Sequence, residues 1–94
     1  MPKVTVHAFA TLSDLISKRL EVITSAVTLL ELIDFIAKEH NPKFKEQVID
    51  PQTGKVKDFF KIFVNGRDND FLNGLETKLQ DGDNIAFFQL IGGG

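Results

Sequence analysis

Apolar and polar residues alternate over residues 3–9, with Val4, Val6 and Ala8 on one side and Lys3, Thr5, His7 and Phe9 on the other. A period of two marks a half-buried strand. A connection over residues 10–17 carries Leu12, Leu15 and Ile16 and has room for a helical turn. Alternation resumes over residues 19–23 with Leu20 and Val22 inward, close enough in sequence to form a hairpin with the first strand. The period then changes. Leu29, Leu32, Ile33 and Ile36 recur at helical spacing, while Glu31, Asp34 and Lys38 lie off the stripe. Thr28 and Glu31 have the spacing of a capping box, and Val27 and Leu32 that of a hydrophobic staple, so a helix is predicted over residues 28–40. Asn41-Pro42 ends it, because proline disfavours the helical conformation at the residue before it.

A short second helix is predicted over residues 44–49, followed by turn chemistry over residues 50–54. Residues 59–64 alternate again: Phe60, Ile62 and Val64 on one face, Phe59, Lys61 and Phe63 on the other. Asn65-Gly66 is a hairpin signal. A short strand is expected near Asp70-Phe71, a connecting turn over residues 72–75, another turn at Asp81-Gly82-Asp83, and the last strand over residues 84–90. One long helix can cover only one face of such a mixed sheet, so the fold class is α+β. Connectivity pairs the last strand with the first in parallel. If Val4, Val6, Phe60, Ile62, Ile85 and Phe87 face the helix, then Phe9, Phe63, Phe88 and Leu90 form an apolar area on the open face. A contiguous patch of that kind marks an interaction site.

Composition removes more chemistry than it adds. The chain has 94 residues, enough for one domain, expected over residues 1–90 with a flexible tail over 91–94. A net charge of −2 with dispersed lysines gives no case for nucleic acid. Zero cysteines exclude disulfides, thiol nucleophiles and thiolate metal sites. No segment has the length or apolarity of a membrane span, and the first residues enter a strand pattern directly, so the expected compartment is cytoplasmic. His7 and His40 have no metal-ligand spacing, and the acidic turns lack the closing glutamate of a calcium loop, so no metal site and no bound cofactor are expected. What remains is the end of the chain. Three glycines cannot pack a core, and the chemical group they present is the carboxylate of Gly94.

The glycine tail, the Asp81-Gly82-Asp83 turn into Ile85-Ala86-Phe87-Phe88, the Val64-Asn65-Gly66-Arg67 turn and the Val27-Thr28-x-x-Glu31-Leu32 helix start together resemble one family. It is the ubiquitin-like β-grasp sulfur carriers, closest to the small subunit of molybdopterin synthase (MoaD-like). Residues 64–94, with Phe71-Leu72-x-Gly74-Leu75-x-Thr77-x-Leu79, resemble its archaeal branch. The resemblance implies a β-grasp sheet of about five strands with one main helix. It also implies that Gly94 is adenylated with ATP by a ubiquitin-activating-type enzyme (MoeB/ThiF-like) and converted to a thiocarboxylate, with Gly92 and Gly93 as the narrow tail behind it. It implies a molybdopterin synthase large subunit (MoaE-like) as partner and a partner-facing patch that includes Phe9 and Phe88; together with the outward Phe63 and Leu90 and the adjoining Ile91, these are the expected partner-binding residues. Such chains commonly finish Phe-Phe-Pro-Pro-Val-Ala-Gly-Gly; here Gln89 and Leu90 replace the two prolines and Gly92 the alanine. Three alternatives share the same residues: a ubiquitin-like protein modifier of the small archaeal type, a sulfur carrier for thiamine or transfer-RNA thiolation, and a docking domain whose glycine end has no role.

Overall fold

The computed structural model describes residues 2–69 and 72–90. Strands β1 (Lys3–Ala8) and β2 (Arg19–Ile23) form the expected antiparallel hairpin, with Val4 opposite Val22 and Val6 opposite Leu20. Helix α1 (Leu29–Glu39) and the short helix α2 (Lys43–Val48) follow, then β3 (Phe60–Val64), β4 (Arg67–Asp68) and β5 (Asn84–Gln89). The sheet order is β2-β1-β5-β3-β4. β5 lies between β1, to which it runs parallel, and β3, to which it runs antiparallel. The central position of β5 places Leu90, the last described residue, beyond the middle strand of the sheet.

The core is the helix stripe pressed on the inward strand positions. Leu29, Leu32, Ile33 and Ile36 of α1 are fully buried, as are Val4, Val6, Ile62, Ile85 and Phe87 of the sheet. Fully burying each such side chain stabilises the fold by ~1.5–3 kcal/mol. Phe44 of α2 is drawn into this core and meets Phe87 edge-on, with centroids 5.0 Å apart. Phe44 therefore does not cover the opposite face of the sheet, and neither helix packs on it.

The start of α1 is held from two sides. Thr28 Oγ1 accepts the Glu31 N–H at 3.2 Å, as the capping signal predicts. The return contact differs: Glu31 Oε1 accepts the N–H of Val27, at 2.8 Å, one residue before the cap. Val27 stays 53% exposed, so the predicted staple with Leu32 contributes little burial. Backbone bonds replace it: Leu29 N–H donates to Thr77 O at 2.9 Å and Leu79 N–H to Val27 O at 2.8 Å. The segment before β5 thereby stitches the helix entry to the sheet.

The fourth strand falls earlier than the sequence suggested. Asn65 (φ 53°) and Gly66 (φ 82°) both take positive φ, which is the two-residue hairpin turn whose twist matches the flanking strands. It returns the chain at once, so Arg67 pairs Val64 and Asp68 pairs Phe63. Residues 70 and 71, where the strand was expected, lie outside the described residues. The Asp81-Gly82-Asp83 turn is held by its carboxylates. Asp83, 8% exposed, accepts from Asn65 Nδ2 at 2.9 Å and from the Gln80 N–H at 2.8 Å, and Asp81 Oδ1 accepts the Lys3 N–H at 2.8 Å. Among the described residues no helix is long and apolar enough to cross a membrane.

Candidate functional site

The open face of the sheet carries the candidate site. Strand parity sends Val4, Val6 and Ala8 to the helix, so the next residue in the alternation, Phe9, emerges on the opposite side, 44% exposed. Its N–H donates to Phe87 O at 3.3 Å and continues the parallel ladder one step beyond β1. That step places Phe9 beside Phe88, the outward neighbour of buried Phe87. The two rings stack with centroids 4.5 Å apart and planes 7° from parallel. Phe63, outward on β3, meets the other side of Phe88 edge-on at 5.3 Å. Such pairs contribute ~0.5–1.5 kcal/mol beyond their buried area, so they hold Phe88 in a fixed orientation.

Leu90 follows at the end of the sheet, 50% exposed, with its N–H donating to Phe59 O at 2.7 Å. The register that pairs Phe60 with Gln89 and Lys61 with Phe88 brings Phe59 and Leu90 opposite each other, one step further on. Phe59 is itself 48% exposed and rests against Phe60 at 5.1 Å. It extends the apolar area to the foot of the tail. Sequence reasoning left Phe59 out of the site, although the alternation that selected Phe63 had placed Phe59 on the same side. Lys61, between the two and opposite Phe88 in register, pairs with Asp68 Oδ2 at 3.5 Å and sets a charge within the apolar area.

The structure thus brings together Phe9, Phe63 and Phe88, puts Leu90 beside Phe59 at the tail's base, and leaves Ile91, Gly92, Gly93 and Gly94 outside the described residues. His7 lies on the same face, its Nε2 3.4 Å from Asn84 Oδ1. Chemically, the arrangement offers a desolvatable aromatic platform, with Leu90, the last described residue, at its edge. Burying one exposed phenylalanine against a partner contributes on the order of 1.5–3 kcal/mol.

The sequence profile of the ThiS family matches residues 6–94. A protein of Archaeoglobus fulgidus that bears the provisional name of sulfur carrier protein is 31% identical over 75 residues, covering 80% of this chain and 83% of that one. Among solved structures, the small archaeal modifier protein 1 from Methanosarcina acetivorans is similar with a TM-score of 0.83 and 25% identity, covering 100% of this chain and 98% of that one. A protein of Pyrococcus furiosus provisionally named molybdopterin converting factor subunit 1 is similar with a TM-score of 0.72 and 28% identity, covering 97% of this chain and 100% of that one.

Proposed function

This chain belongs to the ThiS family of ubiquitin-like sulfur carriers and modifiers, and from that premise we propose that it carries sulfur as a thiocarboxylate on Gly94, as the small subunit of molybdopterin synthase. Members of this family act with other proteins, and the observation that carries the proposal is the Phe9–Phe88–Phe63 cluster, uncovered by either helix and contiguous with the foot of the tail. It supports a division of labour: the platform docks and the tail delivers. A carboxylate is a poor acyl donor until it is joined to a good leaving group, which calls for activation by a partner. In the proposed sequence the Gly94 carboxylate oxygen attacks the α-phosphorus of ATP and pyrophosphate leaves. Hydrosulfide released by a sulfur donor then attacks the acyl carbon and AMP leaves, so that one carboxyl oxygen is replaced by sulfur. Glycine suits this end because it lets the backbone approach closely inside a narrow channel.

The molybdopterin assignment is supported by the likeness to the Pyrococcus furiosus subunit. A second reading, a protein modifier joined through Gly94 to lysines of other proteins, is supported by the Methanosarcina acetivorans likeness. The test is incubation with ATP, an adenylating enzyme of the MoeB/ThiF type and a sulfur donor, followed by mass spectrometry of the intact chain. Adenylate and then thiocarboxylate are expected. Adding a MoaE-like large subunit and a pterin precursor then reads the pathway, with molybdopterin as the expected product. Lysine conjugates without molybdopterin would move the assignment to the modifier reading, and failure of Gly94 to accept AMP would end both.

A further inference from the structure

We propose that Thr11 and Gln89 are positioning residues that fix the direction in which the chain leaves the sheet, and so set where Gly94 arrives in a partner's active site. The inference rests on the carrier reading above. Thr11 Oγ1 donates to Gln89 Oε1 at 2.7 Å, tying the last residue of β5 to the turn after β1. On the other flank, Leu90 N–H donates to Phe59 O at 2.7 Å. The base of the tail is therefore held from both neighbouring segments, by a side chain on one side and by backbone on the other. Neither tie survives a proline, which lacks the N–H and the side-chain amide.

Leverage makes the tie matter. Gly94 lies four residues beyond Leu90, a reach of up to ~14 Å when drawn out. Holding the base restricts the directions from which a chain of that reach sets out, and so narrows the range of positions open to its far end. Misplacement of a reacting group by ~1 Å is enough to lower a rate by as much as ~100-fold. Thr11 is exposed, so replacing it removes little from the core.

The test compares the intact chain with Thr11→Val and Thr11→Ser. Hydrogen exchange at the Leu90 amide, bonded to Phe59 O on the other flank, reports without any partner whether losing the Thr11–Gln89 bond loosens the base, and kcat and KM for adenylate formation report its use. Thr11→Val is expected to speed Leu90 exchange about threefold to tenfold, because an exposed hydrogen bond holds only that much of the population. It is expected to lower kcat by a similar factor while KM and Tm stay unchanged, because the phenylalanine platform is intact. Thr11→Ser restores the hydroxyl and should restore both. Unchanged exchange and unchanged kcat would overturn the proposal. So would a fall in kcat with unchanged exchange, since Thr11 would then act by touching the enzyme directly. If the intact chain is not adenylated at all, the carrier reading fails and this role with it, while the exchange comparison still shows whether the tie exists.

Discussion

Phe88→Ala separates docking from folding, and its magnitude can be worked from neighbouring residues in one strand. Phe87 is fully buried and meets Phe44 at 5.0 Å, whereas Phe88 is half-buried and touches Phe9 and Phe63 on the open face. Truncating a buried phenylalanine destabilises a domain by ~3–5 kcal/mol, so Phe87→Ala is expected in that range. Phe88→Ala forfeits two aromatic pairs at ~0.5–1.5 kcal/mol each and leaves no internal cavity, so about 1–3 kcal/mol is expected. At ~4–8 °C per kcal/mol for a domain of this size, Tm should fall by about 5–20 °C. Affinity should respond more steeply. A central aromatic anchor contributes ~2 kcal/mol or more to binding, so Kd for the adenylating enzyme should rise about 30-fold. Urea denaturation and titration calorimetry on the same preparations, below the transition, measure the two quantities. The reasoning is refuted if Phe88→Ala loses as much stability as Phe87→Ala while the folded variant binds with unchanged Kd.

Three further outcomes are expected. Asp83→Ala removes both acceptors that join the Asn65 and Gln80 turns, so it should destabilise the fold by ~1–3 kcal/mol in urea denaturation. Thr28→Ala should cost ~1 kcal/mol, with most of it restored by Thr28→Ser, because the hydroxyl caps the Glu31 N–H. Deleting Gly94 draws the carboxylate back by roughly 3.5 Å; Tm and docking should hold while adenylation is lost, and activation at the intact rate would refute the delivery role of the tail.

Local pattern alone determined the strand faces and the helix stripe. Period two from residue 3 and period 3.6 from residue 29 predicted which residues are buried, and Val4, Val6, Leu32, Ile33, Ile36, Ile62 and Phe87 are. The same parity singled out Phe9, Phe63 and Phe88 before any contact among them was known. Such signals are legible because each depends on neighbours within one or two turns of the chain. Other features waited for the register of β5 between β1 and β3. The stack of Phe9 on Phe88, the Asn65–Asp83 bond, the Thr11–Gln89 tie and the place of Phe59 beside Leu90 all join residues distant in sequence. A strand's alternation says which way a side chain points but not which strand lies beside it. Helix entry shows the same limit: the cap at Thr28 is local and was readable, whereas the bonds from Leu29 to Thr77 and from Leu79 to Val27 needed the chain to return. Phe44 went to the core because α2 packs against α1 there, a choice between two faces that its own short helix could not make.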